Sequence, residues 1–112
     1  MQIFSTPFSK QLLIEMQEHY FGDMVKAVVD VKQHLIAVDA EMHADLEQLL
    51  LSEGSQQMDL WGINLYPEMD GEDFVEFDSL INIRPYQNNR SRDVVWAETK
   101  ASILNIVNQL VQ

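Results

Sequence analysis

Three arginines, Arg84, Arg90 and Arg92, fall within nine residues of the stretch INIRPYQNNRSRD, with no carboxylate between them, in a chain that has no other arginine and a formal charge of −11. Guanidinium groups are planar forks that match carboxylates and phosphates two bonds at a time, and the neighbouring Asn89 and Ser91 add neutral donors. Just upstream, FVEFDSLINIR supplies two candidate acids or bases, Glu76 and Asp78. If that run is a strand, alternation puts Glu76, Asp78, Leu80, Asn82 and Arg84 on one face, and Val75, Phe77, Ser79, Ile81 and Ile83 on the other. The run DLWGINLYP sorts in the same way, with Trp61, Ile63 and Leu65 on one side and Gly62, Asn64 and Tyr66 on the other. Joined through a turn at 67–73, the two strands would gather Asn64, Tyr66, Glu76, Asp78, Asn82 and Arg84 on one polar face that runs into the arginine loop.

That face admits three functional readings. The first is a binding module for a small anionic ligand or partner, using Asn64, Tyr66, Asn82, Arg84, Asn89, Arg90, Ser91 and Arg92. The second is a small enzyme in which Glu76 or Asp78 is the general acid or base and the arginines stabilise charge. The third is self-assembly, the basic loop of one copy meeting the acidic surface of another in a homo-oligomer. Against all three stands an internal role, with the arginines neutralising Glu76 and Asp78 of the same molecule. No cofactor is expected.

Metal chemistry has weaker support. DAEMHAD brings Asp39, Glu41, His43 and Asp45 within seven residues. The segment passes from strand to helix, so the alternation that could bring Asp39, Glu41 and His43 together need not persist, and Asp45 reads as a helix cap. No metal centre is therefore assigned, with these three residues the nearest approach to one. In PEMDGEDF, placing Gly71 at the sixth position of a calcium loop puts Tyr66 first and Phe77 twelfth, where acidic ligands belong, so the EF-hand pattern fails. No phosphate-binding glycine loop, HExxH or GxSxG occurs. His19 and His34 lack comparable neighbours.

A length of 112 residues fits one domain, 1–112. Outside 84–92 the chain carries four lysines against eighteen acidic residues, a field that repels nucleic-acid backbones. No apolar run is long enough for a membrane helix, and there is no cysteine. The first residues lack the basic flank and apolar core of a signal peptide, so a cytoplasmic location is expected, with neither nucleic acid nor membrane as partner.

The elements that must position these residues follow from periodicity. Gln2 to Ser5 reads as a strand, and Thr6-Pro7 as the start of a helix carrying Phe8, Leu12, Leu13, Met16 and Tyr20 up to Gly22. MVKAVVDV and LIAVDA read as a hairpin turning at Lys32 to His34. A helix over Ala44 to Leu51 precedes Gly54, the two strands described above follow, and Trp96, Lys100, Ile103, Leu104, Val107, Leu110 and Val111 stripe a final helix. The order β-α-β-β-α-β-β-α predicts an α+β fold, a mainly antiparallel sheet backed by helices.

The strings FGDMVKAVVD, LWGINLYP, EFDSLINIRP and NRSR resemble a family of short bacterial proteins catalogued as a domain of unknown function. The resemblance spans the chain from about Pro7 to the last helix and implies no activity, cofactor or catalytic residue.

Overall fold

The β-branched run VKAVVD forms β2 (Val25–Asp30), the strand on which the sheet is built. Antiparallel β3 (Leu35–Val38) lies along one edge and antiparallel β4 (Leu60–Leu65) along the other. The β2–β3 turn is fixed by the fully buried Asp30. Its carboxylate accepts from the backbone N–H groups of Lys32 and Gln33 and from the Ser55 hydroxyl, at 2.9, 2.9 and 2.6 Å. Such a carboxylate is satisfied in place and free for nothing else. β1 (Gln2–Phe4) pairs with β3, and the two-residue β5 (Val75–Glu76) pairs with β4, giving a five-stranded antiparallel sheet in the order β1-β3-β2-β4-β5. The computed structural model describes all of residues 1–112.

Alternation along the strands gives the sheet an apolar face that two helices cover and a second face whose apolar part a third helix covers. Val25, Ala27, Val29, Ile36, Val38, Trp61, Ile63 and Leu65 pack against Leu13 and Met16 of α1 (Lys10–Met16) and Ile103, Ile106, Val107 and Leu110 of α3 (Ala97–Leu110). On the opposite face Val28, Ala37 and Leu60 meet Leu46 and Leu50 of α2 (His43–Ser52). The fold is α+β, with the predicted element order but three layers. The second face is not simply a solvated surface, because the leucines of α2 require an apolar partner and find it there.

Local chemistry moves several boundaries. The first helix begins at Lys10, capped by Ser9, whose hydroxyl accepts from the Gln11 N–H at 3.1 Å, and not at Thr6-Pro7. The cause is long-range: Phe8 N–H donates to Leu110 O at 2.8 Å and Gln112 N–H to Phe8 O at 2.9 Å, which holds Phe8 extended. Asp45 lies inside the first turn of α2, where its charge suits the helix dipole, while Met42 occupies the capping position without a side-chain bond. In α3 the buried stripe is Ile103, Ile106, Val107 and Leu110, whereas Trp96 and Leu104 face outward.

The largest departure is the expected long strand to Arg84. Pairing stops at Glu76, and Leu80–Asn82 and Pro85–Gln87 are single 3-10 turns.

Candidate functional site

The strand ends early because side chains take over the edge of β4. Asn64 pairs with Glu76 through the backbone, but at Gly62 the partner is the Asn82 side chain. Its Oδ1 accepts from Gly62 N–H at 2.8 Å and its Nδ2 donates to Gly62 O at 2.9 Å. A carboxamide has the donor and acceptor of a peptide group and here stands in for one. Gly62 makes the approach feasible: a Cβ there would lie 2.6 Å from both Cβ and Oγ of Ser79. Two residues back along the same edge, the Arg84 guanidinium donates to Leu60 O and also to Gln57 O, and its Cζ lies 4.0 Å from the centroid of the Trp61 ring. Arg84 is 3 % exposed, makes no ion pair, and burial lowers its pKa.

Asn89 performs a similar task within the loop. Fully buried, it donates to Asn82 O at 2.7 Å and Asp93 O at 2.8 Å and accepts from Val95 N–H at 2.9 Å, while its backbone pairs with that of Arg84. Ser91 Oγ accepts from Asp93 N–H at 3.0 Å. Asn82 and Arg84 thus hold the loop to the sheet, and Asn89 and Ser91 hold the loop together. Arg90 is exposed and makes no bond, and Arg92 alone bonds a carboxylate, its Nε donating to Asp78 Oδ1 at 2.5 Å.

The loop and α2 leave part of the second sheet face uncovered, as a cavity of about 500 Å³. Its floor is a cross-strand row, Lys26 beside Asn64 beside Glu76, flanked by Tyr66. One wall is Met42, His43 and Ala44 at the amino end of α2; the other is Asp78 to Ile81 with Arg92. Asn64 Nδ2 donates to Glu76 Oε1 at 2.8 Å and to Asp78 O at 3.2 Å, and the Tyr66 hydroxyl donates to the same Glu76 oxygen at 3.1 Å. Desolvation and the adjacent Glu76 charge both raise the Tyr66 pKa, so the phenol remains a donor. His43, 6 % exposed, points Nε2 at Ile63 O, 2.8 Å away. Burial lowers its pKa to about 4, leaving a neutral imidazole.

The structure therefore brings Asn64, Tyr66, Glu76, Asp78 and Arg92 to one cavity, and places Asn82, Arg84 and Asn89 beneath the loop. Sequence reasoning did not assign Lys26 to this site or connect His43 with it. A lysine between Val25 and Ala27 in MVKAVVDV was the available sign, since a long ammonium side chain on a strand reaches toward water. Asp39, Glu41 and His43 do not converge. Asp39 accepts from His19 Nδ1 at 2.8 Å, Glu41 is exposed, and no group of three His, Cys, Asp or Glu side chains could hold a metal ion. No helix is long and apolar enough to cross a membrane.

An α+β domain with one polar cavity between the second sheet face, a helix amino end and an ordered loop is the class that fold and site define. The chain belongs to the family described as Protein of unknown function (DUF5674), which matches residues 2–110. No curated protein matches the chain, and no solved structure does.

Proposed function

We propose that the protein is a binding module for a small molecule with an anionic group, and that its site is the cavity between α2 and the 78–92 loop. One observation carries this reading: Lys26, Arg92 and the amino end of α2 line the same cavity. Met42 caps α2 without a side-chain oxygen; the Asp45 N–H turns back to Met42 O at 3.1 Å, while the N–H groups of His43 and Ala44 retain their donor capacity. A helix amino end with unfilled donors favours negative charge, and a lysine and an arginine beside it add to the attraction. Arg92 is then the part of the arginine loop that meets ligand. The cavity falls in the size range of small-molecule sites.

The test is a set of thermal melts with and without millimolar phosphate, sulfate or short carboxylates at constant ionic strength. Wild type should be stabilised by at least one of these anions, and Lys26→Ala should lose that response while still folding. If the wild-type melt ignores all of them, the reading fails.

A catalytic reading of the same cavity rests on Glu76, whose carboxylate is oriented by Asn64 and Tyr66. In it Glu76 takes a proton from bound substrate and Arg92 steadies the developing charge. Turnover of a ligand found by the melts, abolished by Glu76→Gln, separates catalysis from binding alone.

A further inference from the structure

We propose that the ligand also carries a protonated amine, held on the cavity floor by Asn64 and Glu76, so that the site takes small amino acids or molecules of that amphoteric class; this rests on the binding reading above and extends it. The argument begins with the orientation of Asn64. Both partners of Nδ2, Glu76 Oε1 and Asp78 O, accept hydrogen bonds, so the nitrogen must face them and Oδ1 must face the other way. Asn64 is 5 % exposed, lines the cavity, and its Oδ1 is buried with no donor in the protein. A buried carbonyl oxygen without a donor is costly, and it calls for a partner.

Two more acceptors share the cavity. Glu76 Oε1 takes both Asn64 Nδ2 and the Tyr66 hydroxyl, and no protein donor reaches Oε2. His43 Nε2 must donate, because Ile63 O only accepts, so the neutral ring carries its lone pair on Nδ1. A bare carboxylate or phosphate would leave the buried Asn64 oxygen unfilled and would lie close to the Glu76 charge. An ammonium group supplies three donors and meets that charge with its own. The row Lys26, Asn64, Glu76 spans two strand spacings, about 10 Å at the backbone, with the positive end beside α2 and the negative end at β5. A molecule with an acidic and an amino group fits that polarity in one orientation.

The experiment is calorimetric titration of the intact protein with the free amino acids, each binder being compared with its desamino carboxylate and its decarboxylated amine at equal ionic strength. An amino acid should bind, and each half should bind about tenfold more weakly or worse, the loss expected for one charge-assisted contact. Glu76→Gln keeps an oxygen for Asn64 and Tyr66, so it should fold as wild type, bind the amino acid about tenfold more weakly, and leave desamino carboxylate binding unchanged or stronger. Equal binding of an amino acid and its desamino carboxylate, unaffected by Glu76→Gln, overturns this inference and leaves the anion site standing. An amine that binds as well as its amino acid overturns the paired ligand by removing the anionic end. Failure of every amino acid, carboxylate and phosphate to bind overturns both.

Discussion

Asn82 forms two hydrogen bonds with the backbone of Gly62, one as acceptor and one as donor, and a third to Arg92 O at 2.9 Å. Its side chain is fully buried. Asn82→Asp preserves shape but removes both donated bonds and adds a charge facing two carbonyl oxygens. Equilibrium urea unfolding should register a loss of about 3 kcal/mol, set by the unsatisfied carbonyls, with little change in m-value.

Gly62→Ala should be costly although the site is a strand, where alanine is normally tolerated. The new methyl group would lie 2.6 Å from Ser79 Cβ and Oγ and 3.1 Å from Ile81 Cγ1. A loss of about 1 to 3 kcal/mol follows from overpacking. Adding Ser79→Gly should recover part of it, and a double-mutant cycle measures the coupling. Additive losses would mean that the clash is not with Ser79.

Arg84 and Arg90, six residues apart, should differ sharply. Arg84→Ala strips donors from Gln57 O and Leu60 O and uncovers Trp61, for an expected loss of about 3 kcal/mol. Arg90→Ala removes an exposed side chain without partners and should stay within about 0.5 kcal/mol of wild type. Parallel denaturant titrations of the two variants check both values.

His43 makes stability depend on pH. Its folded pKa, about 4, lies below its ordinary value of 6.5, so between those limits the unfolded chain binds the proton more readily. Stability is therefore highest above pH 6.5 and falls as pH drops toward 4, by about 3 kcal/mol from this residue. His43→Gln retains a donor for Ile63 O and has no titrating ring. The difference in unfolding free energy between wild type and His43→Gln should shift against wild type across that window.

How much was legible in the sequence varies by element. The eight elements and their order followed from periodicity, because the alternation in VKAVVD and the helical stripe near the end of the chain are local signals of burial. The extent of FVEFDSLINIR was not legible. Its alternation suits a strand, but Gly62 admits the loop so closely that Asn82 and Arg84 bond to the β4 edge through their side chains. Phe8 was misread for a similar reason, since its extended backbone is imposed from Leu110 and Gln112, about a hundred residues away. In the candidate site, alternation put Asn64 and Glu76 side by side, as their cross-strand pairing does, whereas Asp78 lies past the end of β5 and reaches the cavity from the loop. Lys26 and the amino end of α2 needed the third layer to be seen.

The replacement of strand by side chain at β4 also governs how the sheet could grow. An open edge is a template for another chain's strand, and proteins commonly blunt it with charge, proline or a bulge. Here the groups that would template growth at Gly62 and Leu60 are already occupied by Asn82 and Arg84, while β5 covers only Asn64 and Leu65. Release of the 78–92 segment would restore that template without unfolding the sheet. The amide hydrogen of Gly62, held by a side chain and not by a ladder, would then exchange with solvent through openings of this guard alone, its protection reporting the free energy of that opening.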